Sequence, residues 1–158
     1  MLAEQNSMLT KLFYLTATQA NTTGYSINTN LKLLEGAWIS VQNDHAYCRI
    51  IQERPYFVYC YKENNEATGE YYDFRPIGND ILCRFRWFKS DIRGFAWLKV
   101  ENATLLTGAW WMEEDVPALA HNDPELLKQS KGMNAYTWIK QATATFPSWA
   151  TAVLDRVK

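Results

Sequence analysis

The sequence predicts a mainly β protein, an antiparallel up-and-down meander of seven or eight strands flanked by a helix at each end. Three observations carry this. Between residues 36 and 112 the chain runs in short aromatic and β-branched stretches, each bounded by turn residues, at the spacing of a meander. The connections are too short for crossover helices, so neighbouring strands must pair antiparallel. Finally, the apolar surplus is aromatic rather than aliphatic, with 7 Trp, 9 Tyr and 7 Phe making 15% of the chain, and large rings favour strands and pocket walls.

The elements follow in order. Leu2, Met8, Leu9, Leu12, Phe13 and Leu15 recur at three- and four-residue spacing, which predicts an amphipathic helix over 2–18. Residues 19–30, rich in Asn, Thr, Ser and Gly, read as a loop. Seven strands are then expected at 36–42, 46–53, 56–62, 70–75, 81–88, 92–100 and 104–112, separated by turns such as Asn43-Asp44, Arg54-Pro55 and Gly78-Asn79. An acidic, Pro-containing connection over 113–123 leads to a short helix at 124–129, with Asp123 as its cap and Pro at its first position. Residues 136–142 read as an eighth strand with Tyr136 and Trp138 on one face, a helical turn capped by Asn134 being the alternative. A last helix starts at Phe146-Pro147-Ser148, with Trp149, Ala152, Val153 and Val157 as its apolar stripe. The whole of 1–158 reads as one domain: helix and loop over 1–30, barrel over 36–142, helix over 146–158. At this length a single core needs neither disulfide nor metal.

Composition narrows the function classes. Lys and Arg number 16 against 17 Asp and Glu, with no clustered run of cations, so nucleic acid is not expected as a partner. The amino terminus lacks a basic n-region and a continuous apolar h-region, and no apolar run approaches the roughly 18 residues that span a bilayer. A cytoplasmic location and no membrane partner are therefore expected. Cys48, Cys60 and Cys83 form no CxxC pair and sit among apolar neighbours, as buried reduced thiols would.

Catalytic motifs are scarce. The two histidines, His45 and His121, fall in a turn and in the acidic connection, and no nucleophile elbow, zinc spacing, GxGxxG or P-loop occurs. No cofactor or metal is expected. Carboxylate chemistry from Glu70, Asp73, Glu113, Glu114 or Asp115 would need one of them inside an aromatic pocket, where burial raises its pKa; otherwise they are surface charge.

Period-two alternation divides the strands into faces. Ile81, Cys83, Phe85 and Trp87 share one, opposite Leu82, Arg84, Arg86 and Phe88; Gly94, Ala96 and Leu98 oppose Arg93, Phe95, Trp97 and Lys99. The candidate binding residues are Arg84, Arg86, Tyr59, Tyr61, Phe95 and Trp97. Facing into a barrel, the rings would bury an apolar body while an Arg fixes a carboxylate or phosphate. Facing outward, the same residues form a solvated sheet face with snorkelling side chains, and the greater apolarity of the opposite face favours this outward arrangement.

Leu34-Glu35-Gly36-Ala37-Trp38 places a Gly-x-Trp at the start of the first strand, ahead of eight expected strands and a final helix. That resembles the lipocalins and the wider calycin group. The resemblance implies an eight-stranded up-and-down barrel in which Trp38 plugs the closed end and Lys140 covers it.

Three functional readings stay open. The leading one is a calycin-like barrel binding a small amphipathic or anionic ligand. The second is an interaction protein, its aromatic face or the Trp110-Trp111 pair docking another chain or a second copy as a homodimer. The third is a small enzyme using a pocket carboxylate or Tyr.

Overall fold

The computed structural model describes residues 31–62, 65–143 and 145–157. The expected helix over 2–18 and loop over 19–30 lie outside the described residues. From Leu34 onward the chain forms a closed barrel of eight strands: β1 Gly36–Ser40, β2 His45–Ile51, β3 Arg54–Cys60, β4 Gly69–Ile77, β5 Asp80–Trp87, β6 Arg93–Asn102, β7 Leu105–Met112 and β8 Asn134–Gln141. Every pairing is antiparallel between sequence neighbours, and β8 returns to pair with β1, which removes both sheet edges. Residues 134–141 are thus strand rather than helical turn.

Directly opposed residues in an antiparallel ladder share a face, so the register identifies the concave side. It runs from Trp38 to Ala46 and Tyr59, from Phe57 to Tyr71, Phe85 and Gly94, and from Leu98 to Gly108 and Tyr136. Small residues are required among so many inward rings. A Cβ on Gly94 would stand 2.1 Å from the Trp111 carbonyl oxygen and 2.3 Å from Phe85 Cζ, so only glycine lets Phe85 lie against this wall. A bulge between Tyr72 and Arg75, with Asp73 at φ 58°, shifts the β4–β5 register and turns Phe74 inward against Phe57 at 5.5 Å.

Two layers cover the outside. The connection after β7 forms two short 3-10 helices, Glu113–Asp115 and Ala118–Ala120, then α1 Pro124–Lys128, capped as expected by Asp123 accepting from the Glu125 and Leu126 amides at 3.0 and 3.2 Å. Its Val116, Ala120 and Leu127 bury Leu82, Phe95, Ala109 and Trp111 on the outer wall. The final helix, α2 Ser148–Leu154, packs Ala150 and Leu154 on Val58, with Tyr47 against Phe146 and Trp149 at 5.1 and 5.4 Å. Of the expected stripe, Trp149 and Val153 pack against this cluster, whereas Ala152 is exposed and the fully buried positions are Ala150 and Leu154, because the helix lies on β3 along the 150/154 spacing.

Cys48, Cys60 and Cys83 are all buried free thiols. Burial pushes the Cys48 and Cys83 thiols up, and likewise the phenols of Tyr56, Tyr59, Tyr71 and Tyr136. Each raised group stabilises the fold fully below its unfolded pKa, and that contribution is lost as pH climbs toward the folded value. Melting temperature should therefore hold steady to about pH 8.5 and fall progressively through about pH 10, the ordinary thiol and phenol range. Thermal melts followed by circular dichroism from neutral to strongly alkaline pH check this; a flat profile would contradict the assignment.

Candidate functional site

The barrel has a closed and an open end. At the closed end Trp38 is 1% exposed, its Nε1 donates to the Leu34 carbonyl at 2.8 Å, and Lys140 Nζ stands 5.4 Å from the centre of its ring. The buried Trp38 ring thus lies beneath the Lys140 ammonium. Deeper in the barrel, Ala46, Phe57, Phe74, Leu98 and Leu106 leave a hollow of only about 20 Å³, room for roughly one water.

The open end is a cup of about 810 Å³, within the range of small-molecule sites. Its walls are strand residues: Tyr59, Tyr71, Trp87, Trp110, Tyr136 and Trp138. Its rim comes from four turns, carrying Asp44, Tyr61, Glu66, Lys89 and Met133. Phe85 supports the wall, edge-on to Trp110 at 5.5 Å and tilted against Tyr71 at 5.9 Å, while Tyr59 meets Trp138 edge-on at 6.2 Å. Aromatic contacts of this kind fix the rings before any ligand arrives.

The rim is anchored by local hydrogen bonds. Ser40 Oγ accepts the amides of Gln42 and Asp44 at 3.2 and 3.0 Å, and the Ser40 amide donates to the Asp44 carbonyl at 2.9 Å. Asp44 Oδ1 accepts the Lys62 amide at 2.7 Å, tying the first turn to the turn after β3. Lys89 Nζ pairs with Glu66 Oε2 at 2.6 Å. Burial raises the Tyr59 phenol, aided by the neighbouring Asp44 carboxylate, so Tyr59 is neutral at physiological pH.

The six residues singled out in the sequence divide. Tyr59 and Tyr61 line the cup. Arg84, Arg86, Phe95 and Trp97 stand on the convex face, because β5 and β6 turn Cys83, Phe85, Gly94 and Ala96 inward. Each has a partner there. Arg84 Nε is 3.4 Å from Asp73 Oδ2, with its guanidinium 5.2 Å from the Phe95 ring centre. Arg86 Nε donates to Glu70 Oε2 at 2.8 Å, and Tyr56 donates to the other oxygen of that carboxylate. Phe95 stacks on His121 at 4.3 Å beneath the connection. Trp97 Nε1 donates to Asp80 Oδ1 at 2.6 Å under the Lys128 ammonium, which holds α1 to the barrel.

The carboxylates lining the cup are Asp44 and Glu66 rather than Glu70, Asp73, Glu113, Glu114 or Asp115; turns contribute them, and only closure of the barrel brings the turns together. Among the described residues no group of three or more His, Cys, Asp or Glu is placed to hold a metal ion, and no helix is long and apolar enough to cross a membrane.

Fold and site together define a closed antiparallel up-and-down β-barrel with a plugged end and an aromatic cup. Compared with protein-family models, curated proteins and solved structures, the chain shows no match.

Proposed function

We propose that this chain is a lipocalin-like binding protein of the calycin kind, holding a small amphipathic molecule in the cup at its open end. The observation that carries this is the aromatic-walled cavity of about 810 Å³ in a barrel otherwise filled and plugged. A set of rings stiffened by mutual contact offers apolar area at low entropic cost, and hydroxyl and carboxylate groups at the rim give the polar end of a ligand its partners. The residues that would have fixed an anion, Arg84 and Arg86, are occupied outside, which leaves the amphipathic half of the expectation as the supported one.

Titration with the neutral probe N-phenyl-1-naphthylamine tests the reading. Saturable one-to-one binding is expected, with quenching of tryptophan emission that shrinks in Trp110→Phe, since Trp110 lines the cup. Absence of saturable binding by neutral, cationic and anionic aromatic probes alike would remove the reading and leave protein interaction as the remaining one.

A further inference from the structure

The charges of the cup do not balance, and the imbalance has a sign. Three charged side chains line it: Asp44, Glu66 and Lys89. Lys89 and Glu66 neutralise each other through their 2.6 Å contact. The Asp44 carboxylate accepts the Lys62 backbone amide, and among the described residues no cation pairs with it. Among the residues that line it, the cup therefore carries one carboxylate in excess, fixed in position by the Ser40–Asp44 turn, while the Lys62 ammonium at the rim is engaged with the Tyr61 ring.

The rest of the lining reinforces that sign. Burial keeps the phenols of Tyr59, Tyr71 and Tyr136 protonated at physiological pH, so they present neutral π faces. Aromatic faces attract cations through their quadrupole, most of all where water is excluded. One rim ring already does so, with Lys62 Nζ 5.3 Å from the centre of Tyr61. The guanidinium groups of Arg84 and Arg86 lie on the other side of the wall, and Lys140 is at the plugged end over Trp38. An entering anion thus meets ring faces and a carboxylate, whereas an entering ammonium meets ring faces and a counter-ion.

Building on the cup as the ligand site, we infer that it selects an organic cation, an amine with an aromatic or aliphatic body, whose ammonium is held by Asp44 at the rim while the body lies among Trp87, Trp110 and Trp138. A charge-assisted contact of this kind is worth about tenfold or more in affinity over its neutral counterpart.

Three matched ligands test this at neutral pH and low salt: 2-(1-naphthyl)ethylamine, 2-(1-naphthyl)ethanol and 1-naphthylacetate, each titrated against wild type and Asp44→Asn. The amine should bind about tenfold more tightly than the alcohol, and the carboxylate more weakly than either. In Asp44→Asn, which keeps an acceptor for the Lys62 amide, the ratio of amine to alcohol affinity should shrink to within about twofold. Alcohol binding without an amine advantage, a carboxylate that binds best, or an advantage that survives Asp44→Asn would each overturn the inference and leave the cup standing as a ligand site. Failure of all three ligands would overturn the cup itself.

Discussion

Trp38→Ala should lower unfolding free energy by about 3–5 kcal/mol, as removal of a fully buried Trp does, a large fraction of the roughly 5–15 kcal/mol that holds a domain of this size together. The indole is almost fully buried within the barrel. Its removal opens a void at the closed end, leaves the Leu34 carbonyl without its donor, and takes from Lys140 the ring beneath its ammonium. The neighbouring Gly36 is tied to the same arrangement. Its φ of 133° disfavours any side chain, and a Cβ there would come within 2.7 Å of Lys140 Cε. Lys140→Met, which keeps the aliphatic stem and removes only the charge, should cost about 0.5–2 kcal/mol. Urea denaturation at constant m-value measures both changes. A loss under about 1 kcal/mol for Trp38→Ala would mean that Trp38 is no plug, since cavities of that size are costlier.

The Gly-x-Trp was legible in the sequence because a local motif sets it, and so was the meander, because each turn is written in neighbouring residues such as Asn43-Asp44 and Gly78-Asn79. The antiparallel order of β1 to β7 and the cap of α1 follow from short turns and local contacts, whereas the β7–β8 and β8–β1 pairings join residues far apart in the chain. The concave side was harder to read. Alternation separates Phe85 from Arg84 but does not say which of them faces in, and on β5 to β7 both faces are apolar, since Phe95, Trp97 and Trp111 face the connection over 113–133. Sequence alone puts Tyr59 beside the outward arginines, whereas the register places it opposite Ala46 and Gly69, on the concave side. The rim carboxylates were the least legible. Asp44 and Glu66 sit in turns separated by two strands, and nothing local in either turn indicates that both border one cavity.

That double-sided apolarity leads to the second large effect. Trp110 and Trp111 are adjacent in β7, and alternation sends the first into the cup and the second under the outer layer, where Trp111 is 0% exposed and its Nε1 donates to the Ser130 carbonyl at 3.1 Å. Trp111→Ala removes the ring on which Val116, Ala120 and Leu127 close. Its cost should again be about 3–5 kcal/mol, but its consequence is local. The barrel ladder does not run through this side chain, so the connection should loosen while the cup persists. Limited proteolysis should cut within 113–133 in Trp111→Ala and not in wild type, and probe affinity for the cup should stay within about threefold, since additivity holds for sites that share no partners. Trp110→Ala should do the reverse, weakening the probe by about tenfold, as loss of a buried aromatic contact does, with less effect on the melting temperature because that ring is only half-buried. Equal effects of the two substitutions on binding would contradict the division of inner and outer walls, because it is the barrel wall, one residue thick, that makes neighbours in sequence answer to different surfaces.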